Sequence, residues 1–146
     1  MNNFNKVLLV SFFIVLAAMN PRGSSGERLR KIPFKDWPQV NFENIRVLVA
    51  NQPVLAQQGF AGAAAEEMKN TLMIFPNLPE GVVFTNTDQG WGAVSKNLQI
   101  VYFDKSFRIL KTDIMAAVTG YSKAPPGAVI AIEGLPRTNR TRVKRK

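Results

Sequence analysis

The stretch Leu98-Gln99-Ile100-Val101-Tyr102-Phe103, Asp104-Lys105-Ser106, Phe107-Arg108-Ile109-Leu110 decides the fold class. Two runs of β-branched, aromatic and aliphatic residues flank three turn-forming residues, a pattern that predicts a tight β-hairpin. Upstream, Arg46 to Ala50, Thr71 to Phe75 and Val82 to Phe84 read as further strands, the last two separated by the turn residues Pro76, Asn77, Pro79 and Gly81. Downstream, Pro125-Pro126-Gly127 is a turn before a last strand over Ala128 to Glu133. One early helical stretch interrupts the series. Asn51 is placed to cap it, Pro53 lies in its first turn, Val54 to Gln58 form it and Gly59 ends it. Ala61 to Lys69 either continues or restarts the helix or forms a loop. Strands outnumber helices and no internal repeat is present. The expected fold is mostly β or α+β, a compact β-barrel-like domain with one early helical stretch.

The 146 residues suit one domain, and 46% hydrophobic residues suffice for a single core. There is no Cys and no His. Disulfides, Cys or His metal sites and Cys or His nucleophiles and bases are thereby excluded, and no cofactor is expected. The net charge of +9 is unevenly spread. Arg137, Arg140, Arg142, Lys144, Arg145 and Lys146 crowd the last ten residues, and with Lys6 and Arg22 set aside, 11 basic residues face 10 acidic ones. The basic character therefore belongs to a tail, residues 137–146, and not to the folded body.

At the other end, Lys6 precedes Val7 to Met19, an apolar run broken only by Ser11. This is the pattern of a signal peptide or membrane anchor over residues 1–22. As a helix the run would span roughly 20 Å, short for a bilayer core of about 30 Å. Residues 23–39, with Gly23, Ser24, Ser25, Gly26, Pro33 and Pro38, read as a linker, and the domain proper is expected over residues 40–136. The expected location is periplasmic, extracellular or membrane-anchored facing outward in a prokaryote.

The order of Arg46 to Ala50, Gln52-Pro53, Gln58-Gly59-Phe60, Thr71 to Pro76, Leu98 to Asp104, Phe107 to Leu110, Tyr121-Ser122 and Val129 to Glu133 resembles domain-of-unknown-function family 192, an uncharacterised ancient conserved region, in a divergent form. The resemblance covers roughly Phe42 to Pro136. It implies a small β-barrel with an early helix, often behind a signal sequence, and brings no settled activity. The family's aromatic-Trp-Met-Lys-Asn-Thr run corresponds to Gly90-Trp91-Gly92-Ala93-Val94-Ser95-Lys96-Asn97, of which Trp91 alone is retained.

Trp91 between two glycines suits either recognition on an exposed loop or a lid folded over the barrel mouth. The tail cations, Arg137 to Lys146, suit phosphates, an anionic lipid surface or an acidic protein. Among the acids, Glu133 at the end of the apolar run Val129-Ile130-Ala131-Ile132 is the least comfortable. No serine has a histidine to activate it, no phosphate loop is present, and neither catalytic nor metal-ligating residues are assigned. The functional expectation is an exported or membrane-tethered, non-enzymatic accessory domain that packs on a larger assembly or anionic surface. The alternatives are a carboxylate-based hydrolase or carbohydrate-binding protein using Asp88, Asp104 or Glu133, and nucleic-acid binding through the tail. Three dispersed acids favour the accessory reading.

Overall fold

The computed structural model describes residues 28–137. The leader over residues 1–22, the start of the linker and the tail beyond Arg137 lie outside the described residues. Two sheets and two short helices make up the domain. In chain order the elements are β1 (Gln39–Phe42), β2 (Ile45–Val49), α1 (Pro53–Gln58), α2 (Ala65–Met68), β3 (Thr71–Pro76), β4 (Val83–Thr85), β5 (Leu98–Phe103), β6 (Ile109–Met115), β7 (Tyr121–Lys123) and β8 (Ile130–Gly134). The main sheet runs β1-β2-β3-β8-β5-β6, and β4 pairs with β7 in a sheet of their own. Only β2 and β3 are parallel neighbours, and the connection between them carries both helices.

Side chains alternate across a strand, and residues paired in register share a face. The registers place Leu48, Met73, Phe75, Ala131, Glu133, Leu98, Ile100, Tyr102 and Met115 on one face, where all are buried. This inner face is covered by Leu55, Phe60 and Met68 of the helical connection and by Phe34 and Trp37 from the segment before β1. Phe84 of β4 completes the cover. It meets Phe75 edge-on at 4.8 Å and Tyr102 at 6.1 Å. Gln58 ties the incoming chain down: its side-chain amide accepts from Ile32 N–H at 2.8 Å and donates to Ile32 O at 3.0 Å. Residues 32–37 of the expected linker are therefore part of the packed domain.

Several expectations change. Among the described residues no closed barrel forms: β1 pairs only with β2 and β6 only with β5, while β4 and β7 pair with each other instead of bridging those edges. Of the readings open for Ala61 to Lys69, the structure shows a restart of helix, as α2. Gly59, at φ +49° and ψ −136°, takes a conformation open only to glycine and ends α1. Asn51 does not cap α1, since Gln52 holds that position with no side-chain hydrogen bond. The strand expected from Phe107 starts at Ile109, because Phe107 turns through φ +59°.

The same registers gather Val40 and Phe42 of β1, Val47 and Val49 of β2, Leu72 and Ile74 of β3, Ile130 and Ile132 of β8, Val101 of β5 and Ile114 of β6 on the opposite, outer face. All remain half-buried or exposed, and the edge residues Val40 and Phe42 are 63% and 66% exposed. Among the described residues no charged side chain interrupts this face, and Gln99 of β5 and Thr112 of β6 are its polar members.

Candidate functional site

Glu133 lies near the middle of the inner face, where β8 pairs it with Met73 on one side and Ile100 on the other. It is 5% exposed, and among the described residues no hydrogen bond or charge contributes to its titration. Desolvation alone pushes its pKa up to about 8, so at neutral pH the group is mostly a neutral acid. Its Oε2 lies 4.0 Å from where a Cβ on Gly59 would stand, and Phe75 Cζ lies 3.9 Å from the same point. Ala131, two residues back on β8 and paired with Phe75 and Tyr102, lies on the same face.

Next to this acid a polar chain runs outward. Tyr102 Oη donates to Ser122 Oγ at 2.8 Å, and Ser122 Oγ donates to Asp113 Oδ2 at 2.6 Å. Lys111 Nζ meets the same Oδ2 at 2.6 Å and donates to Lys123 O at 3.1 Å. Strand alternation explains the assembly: Lys111 and Asp113 are two apart on β6 and face inward, and β7 brings Ser122 over them. Burial raises the Tyr102 pKa to about 12; the Ser122 hydrogen bond opposes the rise, and the Asp113 and Glu133 charges add to it. The hydrogen bonds from Lys111 and then Ser122 hold the Asp113 carboxyl below its ordinary value. Asp113 and Glu133 pair with Ile100 from opposite sides, so an ionised and a neutral carboxyl share one face across a single strand.

The other acids singled out in the sequence are spent on local backbone. Asp88 Oδ1 accepts from Gly90 N–H at 2.8 Å and Gly92 N–H at 2.9 Å, and these bonds lower its pKa. Asp104 Oδ1 accepts from Arg108 N–H and Ser106 N–H, while its Oδ2 takes Arg108 Nε at 2.9 Å; the Arg108 backbone bond is the largest cause of its lowered pKa. Asp104 ends β5 four residues beyond Ile100, the partner of Glu133, and Asp88 lies in the loop after β4, so the three acids do not meet. No group of three or more acids suited to a metal occurs among the described residues.

Trp91 is half-buried in the Asp88 loop. Leu29 N–H donates to Gly90 O at 2.8 Å, and a Cβ on Gly62 would stand 2.3 Å from Trp91 O, so only glycine permits this approach. The loop is pinned from both sides and not a free recognition arm. Arg137 is exposed, and Arg140, Arg142, Lys144, Arg145 and Lys146 lie outside the described residues. The Tyr102–Ser122–Asp113–Lys111 chain was not read from the sequence; the two-residue spacing of Lys111 and Asp113 beside a predicted strand was the available signal. No protein-family model, curated protein or solved structure matches the chain.

Proposed function

We propose that this chain is a membrane-tethered or exported accessory domain, a divergent relative of family 192, that docks on a larger assembly through the outer face of its main sheet. One observation carries the reading: every strand puts apolar residues on the outer face, where Gln99 and Thr112 are the polar exceptions on β5 and β6, and no described residue of the buried core covers it. An antiparallel-rich sheet with one face in water ordinarily alternates apolar with polar residues, whereas apolar residues on both sides mark strands made to be covered twice. The scattered, locally engaged acids Asp88 and Asp104 support a non-enzymatic role. The basic tail and apolar leader are the expected tethers, and an anionic surface is their natural partner.

The test is purification from the native membrane with Val47→Lys and Ile132→Lys introduced together. The expected result is loss of the co-purifying assembly with a melting temperature close to that of the parent. Recovery of the parent as a lone monomer overturns the reading.

The Glu133 and Asp113 pair favours one second reading, the carboxylate-based hydrolase, because neighbouring acids with pKa values pushed apart are suited to acid and base roles. Against it, Lys111 and Ser122 already occupy Asp113. Turnover of any glycoside or ester that is abolished in both Glu133→Gln and Asp113→Asn would favour this reading over the first.

A further inference from the structure

The turn joining β5 to β6 exposes Phe107 at its apex. This side chain is 73% exposed, and its backbone has φ +59°, a conformation that bulky residues rarely adopt. The turn is nonetheless rigidly built. Phe107 N–H donates to Asp104 O at 2.9 Å, Asp104 N–H donates to Arg108 O at 3.0 Å, and the Asp104 carboxylate takes three further bonds from Ser106 and Arg108. The only acid of the turn is folded inward, with its side chain 14% exposed, while that of Arg108 is 79% exposed and Lys105 also faces solvent. The surface presented is thus Lys105, Ser106, Phe107, Arg108 and Ile109: two apolar side chains, two cations, of which Arg108 is paired through Nε with the inward-folded Asp104, and no exposed carboxylate.

We propose that this hairpin tip is a membrane contact that seats Phe107 in the interfacial layer of an anionic bilayer, with Lys105 and Arg108 at the headgroups. A projecting aromatic ringed by long cationic side chains matches the apolar-below, charged-above order of that layer. A protein partner would have to offer a preformed pocket to a convex apex, whereas lipid deforms around it.

The contact deepens the membrane-tethered part of the reading above. The chain contains no cysteine, so Ser106→Cys accepts an environment-sensitive nitrobenzoxadiazole dye at that one place in the full chain. Thr119→Cys, exposed beyond the far end of β6, is the control. On vesicles of phosphatidylcholine and phosphatidylglycerol, the dye at residue 106 should shift to the blue and be quenched by shallow spin-labelled lipid, and the dye at residue 119 should do neither. Adding Phe107→Gly should lower the inserted fraction on the order of tenfold, the scale of losing one buried aromatic side chain, while leaving the melting temperature unchanged or raised. A chain held on vesicles with its dye at residue 106 in water rejects the tip and leaves the tether standing. A chain that does not bind vesicles rejects both. Undiminished quenching in Phe107→Gly, or a shift that requires added membrane protein instead of lipid, also overturns the proposal.

Discussion

The two faces of the main sheet are made from alternate residues of the same strands, yet they invert the usual arrangement. The covered face holds the ionisable groups Glu133, Tyr102, Asp113 and Lys111, whereas the open face from Val40 to Ile114 is mainly apolar and carries Gln99 and Thr112 as its polar residues. Hydropathy therefore does not distinguish inside from outside here. What distinguishes them is cover: the helical connection, β4, β7 and residues 32–37 all lie on one side. A mainly apolar face left uncovered by the described residues is the physical basis for the docking role proposed above.

The contrast is sharpest at neighbouring positions of one strand. Ile100 is fully buried on the inner face, and Val101 lies half-buried on the outer one. Ile100→Ala removes packed atoms and leaves a cavity, so it should cost about 2–5 kcal/mol of unfolding free energy. Val101→Ala should cost less, about 1–2 kcal/mol, since its side chain keeps some contact with water and its loss leaves no enclosed cavity. Urea titration of the two variants measures the difference. Equal costs would mean that the outer face is covered in the isolated chain.

The acid on the inner face sharpens the comparison by pH. Glu133 has a folded pKa of about 8 against an ordinary 4.5, so between these values the native state retains a proton that the unfolded chain has lost. The sign follows: this stabilisation is complete below pH 4.5 and is lost as pH rises through about 8, with a steepest slope of about 1.4 kcal/mol per pH unit. Glu133→Gln should flatten the alkaline limb of a stability profile measured from pH 5 to 9. Asp113, Asp104 and Asp88 act in the opposite sense, because their pKa values are lowered and their contribution is lost on acidification below the ordinary 3.8. Their window does not overlap that of Glu133, which allows the two to be read separately.

Much of this architecture is legible in the sequence, and the failures have identifiable causes. β5 lies at its expected residues because six consecutive strand formers end at an Asp turn. Glu133 is conspicuous because it follows an apolar run that leaves it no polar neighbours. The strand β7 is not legible, because Tyr121–Lys123 is three residues long and acquires its conformation from pairing with β4. β1 is hidden by Pro38 and the linker-like composition before it. The site around Tyr102 is invisible for a different reason: Ser122 and Asp113 meet only once β7 folds across β6, and no spacing along the chain encodes that meeting. The runs Leu72 to Phe75 and Ile130 to Ile132 do announce a doubly apolar sheet, but not which face the helices will take.

A smaller effect probes how far the polar chain supports the covered face. Tyr102→Phe deletes the bond to Ser122 Oγ but leaves Ser122 donating to Asp113, so no buried donor is stranded. The expected loss is about 1 kcal/mol, the net worth of one hydrogen bond. A double-mutant cycle with Ser122→Ala isolates the coupling. A loss above about 3 kcal/mol would show that the phenol orders more than its own bond, including the neighbouring Glu133 carboxyl.

The smallest expected effect bears most directly on the open face. Val47 lies on β2, between Val40 of β1 and Leu72 of β3. Threonine has nearly the same shape and a comparable strand preference, so Val47→Thr changes little except for one hydroxyl. If water reaches the face, that hydroxyl is solvated and the loss should stay within about 0.5 kcal/mol. If another surface lies over it, the hydroxyl is buried without a partner and the cost rises to about 1–3 kcal/mol. Measuring the variant at low and high protein concentration then identifies the cover. A cost that grows with concentration means that copies of the chain close over one another. A cost that is large at every concentration means that residues of the same chain outside 28–137 lie on the sheet, and the face is not available for docking. A loss near zero at both concentrations, together with a cost above 1 kcal/mol in the complex purified from membranes, would place the partner on this face.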